Sequence, residues 1–330
     1  MTILGVVAAT ETRYHTREAE RCATLAQLES GDVLHIAANT PDRVAQRLGR
    51  LGAATAAAVL DASALRSPLF FAQGLRASRA VGRLRTRGER GEDLGGGTAC
   101  RVSPRLLLTT RQLLPSPAAA LHSRVAFDIE ESSSGGNPSI TEVSLLPEEL
   151  FLSDADLDYT LVALAPEPAL ASCGWLPLIA DPATVLVGER LSLIQHANGE
   201  GKRLAMRQTL VVDAVESFLF YQGDSAPATA GAPLFNDQWE VVALHHAGVA
   251  KRDSQGDLLC RDGIPWREGM GEERMDWLAQ EGVRISALVA HIRDQVLAPE
   301  AEALRQELLD ANPPPLESPE AAQPQQGDGS

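Results

Sequence analysis

A series of short strand-like runs, separated by glycine, proline and Asx residues, fills most of the chain after Ser67. This pattern is typical of an all-β barrel or sandwich, because short strands closed by turns bury their apolar sides only by packing face to face. The number of runs suits two packed six-stranded barrels better than a single sheet. The runs are 80–84, 98–102, 106–110, 124–129, 141–145, 158–163, 190–195, 204–214 and 241–246.

Helices are expected on both sides of the strands, and three segments result: 1–66, 67–297 and 298–330. The first is a predicted helical extension, with helices near 16–29 and from Thr40 onward, where Pro41 takes the first helical position. Residues 32–36, between these helices, are interpreted as a short strand. Whether the extension covers the barrels or serves as a separate docking module stays open.

The end of the chain also predicts helix. Apolar residues at helical spacing after Ile285 indicate a helix that closes the barrel domain. The segment 298–330 is expected to hold a short helix, followed by a Pro- and Gln-rich tail too polar to form a core.

Charge narrows the classes of partner. The net charge is −15 and the pI about 4.9, which argues against a general nucleic-acid or anionic-membrane surface. One stretch is basic, and we interpret it as a solvated strand edge and loop rather than a docking patch. Its arginines are Arg76, Arg79, Arg83, Arg85, Arg87 and Arg90.

The sequence predicts a cytoplasmic protein. The N-terminal stretch lacks a basic region and a long apolar run, and no run approaches the roughly 20 apolar residues of a membrane span. The cysteines are far apart, so no CxxC metal pair is present and their thiols are expected to be buried and reduced. We expect no metal and no cofactor.

Three stretches of the sequence contain the motifs that bear on catalysis. Residues 96–115 read Gly-Gly-Thr-Ala-Cys-Arg-Val-Ser-Pro-Arg-Leu-Leu-Leu-Thr-Thr-Arg-Gln-Leu-Leu-Pro, and residues 157–164 read Leu-Asp-Tyr-Thr-Leu-Val-Ala-Leu. Residues 228–235 read Ala-Thr-Ala-Gly-Ala-Pro-Leu-Phe, and the strand 241–246 follows them. Together these stretches resemble the bacterial branch of the trypsin-like serine peptidases, which have the chymotrypsin fold, and in particular its glutamyl-endopeptidase-like members.

The resemblance implies a chymotrypsin-like double six-stranded β-barrel with a His, Asp and Ser triad in that chain order. In this sequence the three positions fall on Gln112, Asp158 and Ala230. A primary amide does not accept a proton in the working pH range, and a methyl group is not a nucleophile. We therefore interpret Asp158 as a strand-start aspartate that hydrogen-bonds Gln112 or nearby backbone amides.

The resemblance also implies roles for neighbouring positions. Ala228 replaces the glycine whose amide helps to bind the oxyanion, while Gly231 is present as in the family. His245 matches the histidine that lines the S1 pocket of glutamyl-specific relatives. A packed core histidine is an equally acceptable interpretation of His245.

These residues predict a catalytically inactive homologue, a pseudoprotease, that binds a protein or peptide in its substrate cleft. The family resemblance implies partners such as a sensor ATPase, an active sister protease or a gasdermin-like protein of a bacterial antiviral defence system. The alternative is an active serine endopeptidase with a displaced nucleophile, Ser225, and His245, His246 or His196 as its base. A purely structural subunit is the third hypothesis.

Overall fold

The computed structural model describes residues 3–31, 33–51, 65–88, 90–127, 140–197, 200–223, 229–271 and 274–310. Its architecture is mainly β, with a seven-stranded sheet, a closed six-stranded barrel and helices near both ends of the described chain. The helices are α1 Ile3–Thr16, α2 Glu18–Ser30, α3 Pro41–Arg50, α4 Pro68–Arg79, α5 Pro117–His122, α6 Ile285–Asp294 and α7 Pro299–Asp310. None of the helices in these ranges is long and apolar enough to cross a membrane.

The N-terminal helices begin and end at the expected signals. Thr40 caps α3 by accepting a hydrogen bond from the Arg43 amide, with Pro41 as the first helical residue. Gly31 ends α2 in the left-handed conformation, at φ 79°. Helix α1 extends to Ile3, further toward the N terminus than the sequence predicts.

The short strand expected at 32–36 is wrong. Val33–His35 is a turn of 3₁₀ helix, and Asp32 lies outside the described residues. Asn39 stabilises this turn, because its side-chain amide donates to the carbonyls of Val33 and Val187. The turn buries Ile36 in the core of the six-stranded barrel, so a side-chain anchor takes the place of a strand partner.

Helix α4 is a second correction, because the sequence predicts only β structure after Ser67. Trp239 explains the helix. Its indole nitrogen donates to the Phe70 carbonyl at 2.8 Å, and its ring packs so close to Gly74 that a Cβ there would lie 2.3 Å from it. The Ser67-Pro68 pair, a cap followed by proline at the first helical position, was the available signal.

The first half of the β structure is an antiparallel sheet with the strand order β5-β4-β1-β2-β3-β7-β6. It differs in strand number from the expected six-stranded barrel. The added strand, β6, pairs with β7 and was not predicted. Its strands are β1 Val81–Arg87, β2 Asp93–Arg101, β3 Leu106–Thr109, β4 Arg124–Phe127, β5 Thr141–Ser144, β6 Phe151–Asp154 and β7 Tyr159–Ala163.

The second half closes into a six-stranded barrel, as predicted. Its strand order is β10-β13-β12-β11-β8-β9. Its interior packs Leu193, Val211, Leu219 and Leu234 against one another. Strands β10 and β13 were not predicted. Its strands are β8 Arg190–Gln195, β9 Arg203–Ala214, β10 Phe218–Gly223, β11 Pro233–Phe235, β12 Val241–Ala250 and β13 Trp277–Arg284.

The predicted closing helix, α6, packs between the two β structures through Leu288 and Ile292. Helix α7 follows it, and Leu308 joins the same core. The predicted chymotrypsin-like fold class is confirmed. The boundaries of the three segments stay predictions, and the tail expected to be disordered lies outside the described residues.

All four cysteines are free thiols, and Cys100, Cys173 and Cys260 are buried. Burial raises the pKa of the Cys100 thiol to about 12. Cys22 departs from the expectation of burial, since it is exposed on α2.

Buried ion pairs attach the N-terminal helices to the barrel. Arg47 of α3 meets Glu189 with two hydrogen bonds, of 2.9 and 2.8 Å, and both side chains are almost fully buried. Burial raises the pKa of Glu189, and the Arg47 charge opposes that shift. Glu189 therefore depends on Arg47 to stay ionised without water around it.

We predict that Arg47→Met lowers the free energy of unfolding by about 3–5 kcal/mol, because Glu189 is left buried without its ion-pair partner. Arg50→Met on the same helix is the control. Arg50 keeps 28% of its side chain exposed beside Asp181 and Glu240, and its loss should cost about 1 kcal/mol or less. Urea denaturation measures both, and equal losses would contradict the role assigned to Arg47.

Candidate functional site

The expected base and acid positions meet at the first sheet. Gln112, in the turn after β3, donates from its backbone amide to Asp158 Oδ1 at 3.0 Å. Its side-chain nitrogen donates to Asp158 Oδ2, also at 3.0 Å. Asp158 is buried and has a φ of 45°, unusual for a residue other than glycine. Gln112 thus holds both oxygens of the carboxylate.

The side-chain amide of Gln112 has a second acceptor. The same nitrogen donates to the backbone carbonyl of His246, on β12, at 2.5 Å. An amide NH₂ group carries two protons, so these two bonds use its whole donor capacity. The side chain is fixed at the base position, where it cannot take up a proton.

Ala230 lies in the turn before β11, and its carbonyl accepts a hydrogen bond from the Thr98 amide at 3.1 Å. The next residue, Gly231, has a φ of 81°, and a Cβ there would lie 2.0 Å from the Thr98 carbonyl oxygen. Only glycine fits this turn. The Gly231 amide donates to the carbonyl of His245, so Gly231 and Gln112 bind neighbouring carbonyls of β12.

His246, which the sequence named only as an alternative base, is a main member of the site. Its Nδ1 lies 3.3 Å from Asp158 Oδ2, and its Nε2 lies 2.9 Å from Glu281 Oε2 on β13. The ring stacks on Phe218 and is almost fully buried. Burial alone would lower the pKa of His246, but hydrogen bonds to the two carboxylates and their charges raise it.

Glu281 links this cluster to helix α1. Arg13 of α1 donates to Glu281 through Nε at 2.8 Å and Nη2 at 2.5 Å, and Thr10 Oγ1 donates to Oε2 at 2.6 Å. Burial would raise the pKa of Glu281, yet the hydrogen bonds and charges of Arg13 and His246 lower it to about 2. The N-terminal extension therefore supplies part of the site.

A cavity of about 370 Å³ opens beside the cluster. Its walls come from α1, from the turn before Asp158 and from the start of β10. The lining is mostly apolar, with charged groups at its edge, which suits an apolar side chain of a bound peptide. Its lining includes Val6, Ala9, Arg13, Leu157, Phe218 and His246.

His245 points to the other face of β12. Its Nδ1 lies 2.7 Å from the Tyr221 hydroxyl, and both side chains are buried within the second barrel. Burial raises the pKa of Tyr221 well above its usual range. The structure thus separates the two adjacent histidines, as alternation along a strand requires.

The remaining predicted positions are partly outside the described residues. Ala228 and Ser225 both fall there, so the oxyanion position and the displaced nucleophile stay predictions. His196, an alternative base, is buried with Nδ1 3.0 Å from the Glu200 carbonyl. Burial lowers its pKa to about 4. Within the described ranges, no group of three or more His, Cys, Asp or Glu side chains is arranged to hold a metal ion.

We predict that His246 stabilises the fold more strongly in acid than in base. Its pKa is raised in the folded state, so this stability is fully present below the unfolded value of about 6.5 and falls as the pH rises through the folded pKa. Denaturation of the natural chain and of His246→Gln between about pH 5 and 9 measures the difference.

His122→Gln is the control, since His122 is exposed at the end of α5. Its effect should vary less across the same pH range. A stability difference for His246→Gln that grows with pH would contradict the assignment of a protonated imidazole between the two carboxylates.

Three comparisons show which known proteins this chain is similar to. Residues 97–244 match the trypsin-like peptidase domain. The uncharacterised protein y4fB of Sinorhizobium fredii (strain NBRC 101917 / NGR234) is 34% identical over 252 residues, which cover 70% of this chain and 38% of that protein. Secreted RxLR effector protein 73 of Plasmopara viticola is 27% identical over 214 residues, 60% of this chain and 52% of that protein.

The chain thus spans about two fifths and about half of the lengths of these two curated relatives. Among solved structures, the active form of the Rv3671c protease from M. tuberculosis aligns with a TM-score of 0.45 and 12% identity. That alignment covers 71% of this chain and 91% of the other. The match over residues 97–244 identifies a trypsin-like peptidase domain in this chain, and the structure has the chymotrypsin-like fold.

Proposed function

We propose that this chain is a catalytically inactive trypsin-like peptidase homologue that binds a protein or peptide in its substrate cleft. One observation carries the proposal. The side-chain amide of Gln112 fills the base position, and both of its protons are donated, one to Asp158 and one to the His246 carbonyl. No proton acceptor near neutral pH remains at that point of the cleft.

The nucleophile position supports the same conclusion. Ala230 carries a methyl group where acyl transfer needs a hydroxyl or thiol. In a subtilisin, loss of the catalytic serine or histidine alone reduces turnover by about a millionfold, and further losses add little. A chain with neither group is left with a peptide-shaped cleft on a rigid scaffold.

The rival is an active endopeptidase that uses Ser225, and the described histidines disfavour it. His246 has both ring nitrogens on carboxylates, and His245 Nδ1 is bonded to Tyr221. His196 is buried against a backbone carbonyl, and burial lowers its pKa to about 4. A general base needs a nitrogen directed at the nucleophile, so His246 would have to break a buried hydrogen bond first.

The biological setting follows from the family resemblance. We propose a cytoplasmic regulatory subunit, with no nucleic-acid or membrane ligand, that acts with a sensor ATPase, an active sister protease or a gasdermin-like protein in bacterial antiviral defence. The free cysteines and the net charge of −15 are compatible with this setting. A purely structural subunit is the remaining candidate, and peptide binding separates the two.

We predict that a fluorophosphonate serine probe labels the natural chain no faster than the heat-denatured chain. The reason is that Ala230 has no hydroxyl and Gln112 is no base. Gln112→His/Ala230→Ser is the positive control, and it should show heat-sensitive labelling. Mass spectrometry of the labelled peptide identifies the residue that reacts with the probe. Heat-sensitive labelling of the natural chain that Ser225→Ala abolishes would establish the rival.

We also predict that the natural chain selects peptides from a displayed library of unstructured sequences. Ala230→Trp should lower the affinity for the selected peptides by about tenfold or more, because the indole fills the space that a peptide would occupy. Ser254→Trp, on an exposed loop, is the control and should leave the affinity unchanged. Failure to select any peptide would favour the structural subunit.

A further inference from the structure

The outer face of the first sheet carries a row of arginines that the cleft does not use. Arg85 and Arg87 point outward from β1, while Leu84 and Thr86, which alternate with them, are buried. Arg124 stands directly opposite Arg85 on the neighbouring strand β4. We call Arg85, Arg87 and Arg124 the arginine strip. The sequence alone favoured a solvated edge, because it does not show this cross-strand pairing.

The pairing is unfavourable for the isolated protein. Like charges directly opposite each other on two strands destabilise a sheet. Arg83 lies next to Arg85 on the same face of β1. Burial lowers the pKa of Arg83 and the charge of Arg85 lowers it further, while the charge of Glu142 raises it. A chain with a net charge of −15 thus concentrates positive charge on this pair of strands.

Carboxylates from the described part of the chain do not neutralise the strip. Arg124 donates to the backbone carbonyls of Leu121 and Ser123, and Arg87 donates to the carbonyl of Gly91. Asp93 lies opposite Arg87 on β2, but its carboxylate accepts the Gly95 amide, and no described carboxylate forms an ion pair with a member of the strip. The guanidinium groups therefore keep donors and charge for an external anion.

The surface beside the strip is flat. Gly96 lies opposite Arg85 on β2, and a Cβ there would come within 2.2 Å of the Leu84 carbonyl oxygen. Because no side chain fits, the backbone of β2 is left open next to the arginines. Two exposed leucines, Leu94 on β2 and Leu121 at the end of α5, lie near the two sides of the strip.

We propose that the arginine strip binds an extended acidic segment of a partner protein. Arg85 and Arg87 are spaced two residues apart on a strand, about 6.6 Å, which is also the spacing of same-side residues on an extended peptide. Carboxylates at that spacing match the guanidinium groups, and the leucines offer contacts for apolar residues between them. The site does not require the cleft to be inactive or occupied.

An acidic peptide fits better than a nucleic acid. A polyphosphate chain needs many basic contacts, because each neutralised phosphate adds to its affinity. The strip offers only a few, and the charge of the whole chain repels a long polyanion. A short segment with a few carboxylates can contact the arginines without extending over the negatively charged remainder of the surface.

The test is a titration of the full chain with fluorescein-labelled decaglutamate, followed by anisotropy at low salt. We expect saturable binding that weakens as salt is added. Arg85→Glu/Arg124→Glu should weaken it by about tenfold or more, equivalent to about 1.4 kcal/mol. Arg261→Glu/Arg293→Glu makes the same charge change at exposed positions elsewhere and should change the affinity by less than about twofold.

Arg85→Gln/Arg124→Gln separates binding from folding. This variant should lose most of the binding, while Arg85→Gln alone, which keeps the Arg124 bonds to the Leu121 and Ser123 carbonyls, should unfold at a temperature equal to or above that of the natural chain. Equal loss in the control pair overturns the proposal, as does absence of binding by the natural chain. Tighter binding of a labelled oligothymidylate than of decaglutamate also overturns it.

The chain contains its own acidic run, Asp128, Glu130 and Glu131, directly after β4. If Asp128→Asn/Glu130→Gln/Glu131→Gln binds decaglutamate and the natural chain does not, the strip serves this chain rather than a partner, and the proposal fails. Fluorophosphonate labelling is unaffected by any of these outcomes, so the strip and the inactive cleft are judged separately.

Discussion

The buried imidazole of His246 joins the triad positions to the N-terminal extension. One ring nitrogen faces Asp158, which Gln112 holds, and the other faces Glu281, which Arg13 holds. Burying an isolated charge is costly, so each group in this row is stable only beside a neighbour of opposite charge or a strong donor. The two carboxylates balance His246 and Arg13. The same balance holds each member by hydrogen bonds to its neighbours, which is compatible with the proposed loss of catalysis.

This row also decides how the N-terminal helices relate to the barrels, a question that the sequence left open. Three arginines of these helices form ion pairs with carboxylates of the second barrel that are almost fully buried. The pairs are Arg13–Glu281, Arg17–Asp213 and Arg47–Glu189. Helices attached by such pairs are a cover rather than a separate module. Displacing α1 would uncover Glu281 beside His246, and therefore the state of the extension and the state of the cleft are coupled through one side chain.

The sequence predicted the fold class and the position of most strands, because glycine and proline punctuation and apolar runs are local signals. It missed α4, which depends on the packing of Trp239 against Gly74, and β13, where Gln280 and Glu281 interrupt the apolar pattern. Motif matching also located Gln112 and Asp158, which the structure brings into contact. It gave no role to Arg13, and it named His246 only as an alternative base. Their partners lie far away in the chain, and only the fold determines which charges meet.

Local geometry accounts for several features that a catalytic interpretation would otherwise claim. Gly231 is required by a turn at φ 81° pressed against the Thr98 carbonyl, whether or not a nucleophile precedes it. Asp158, strained at φ 45°, is held by the two donors of Gln112. The charge of Arg85 has no such structural reason: it faces Arg124, which donates to carbonyls at the end of α5, and like charges opposite each other destabilise the sheet. A feature that folding does not need and that packing does not favour is the better guide to an interaction, and in this molecule it lies on the outer face of the first sheet, away from the cleft.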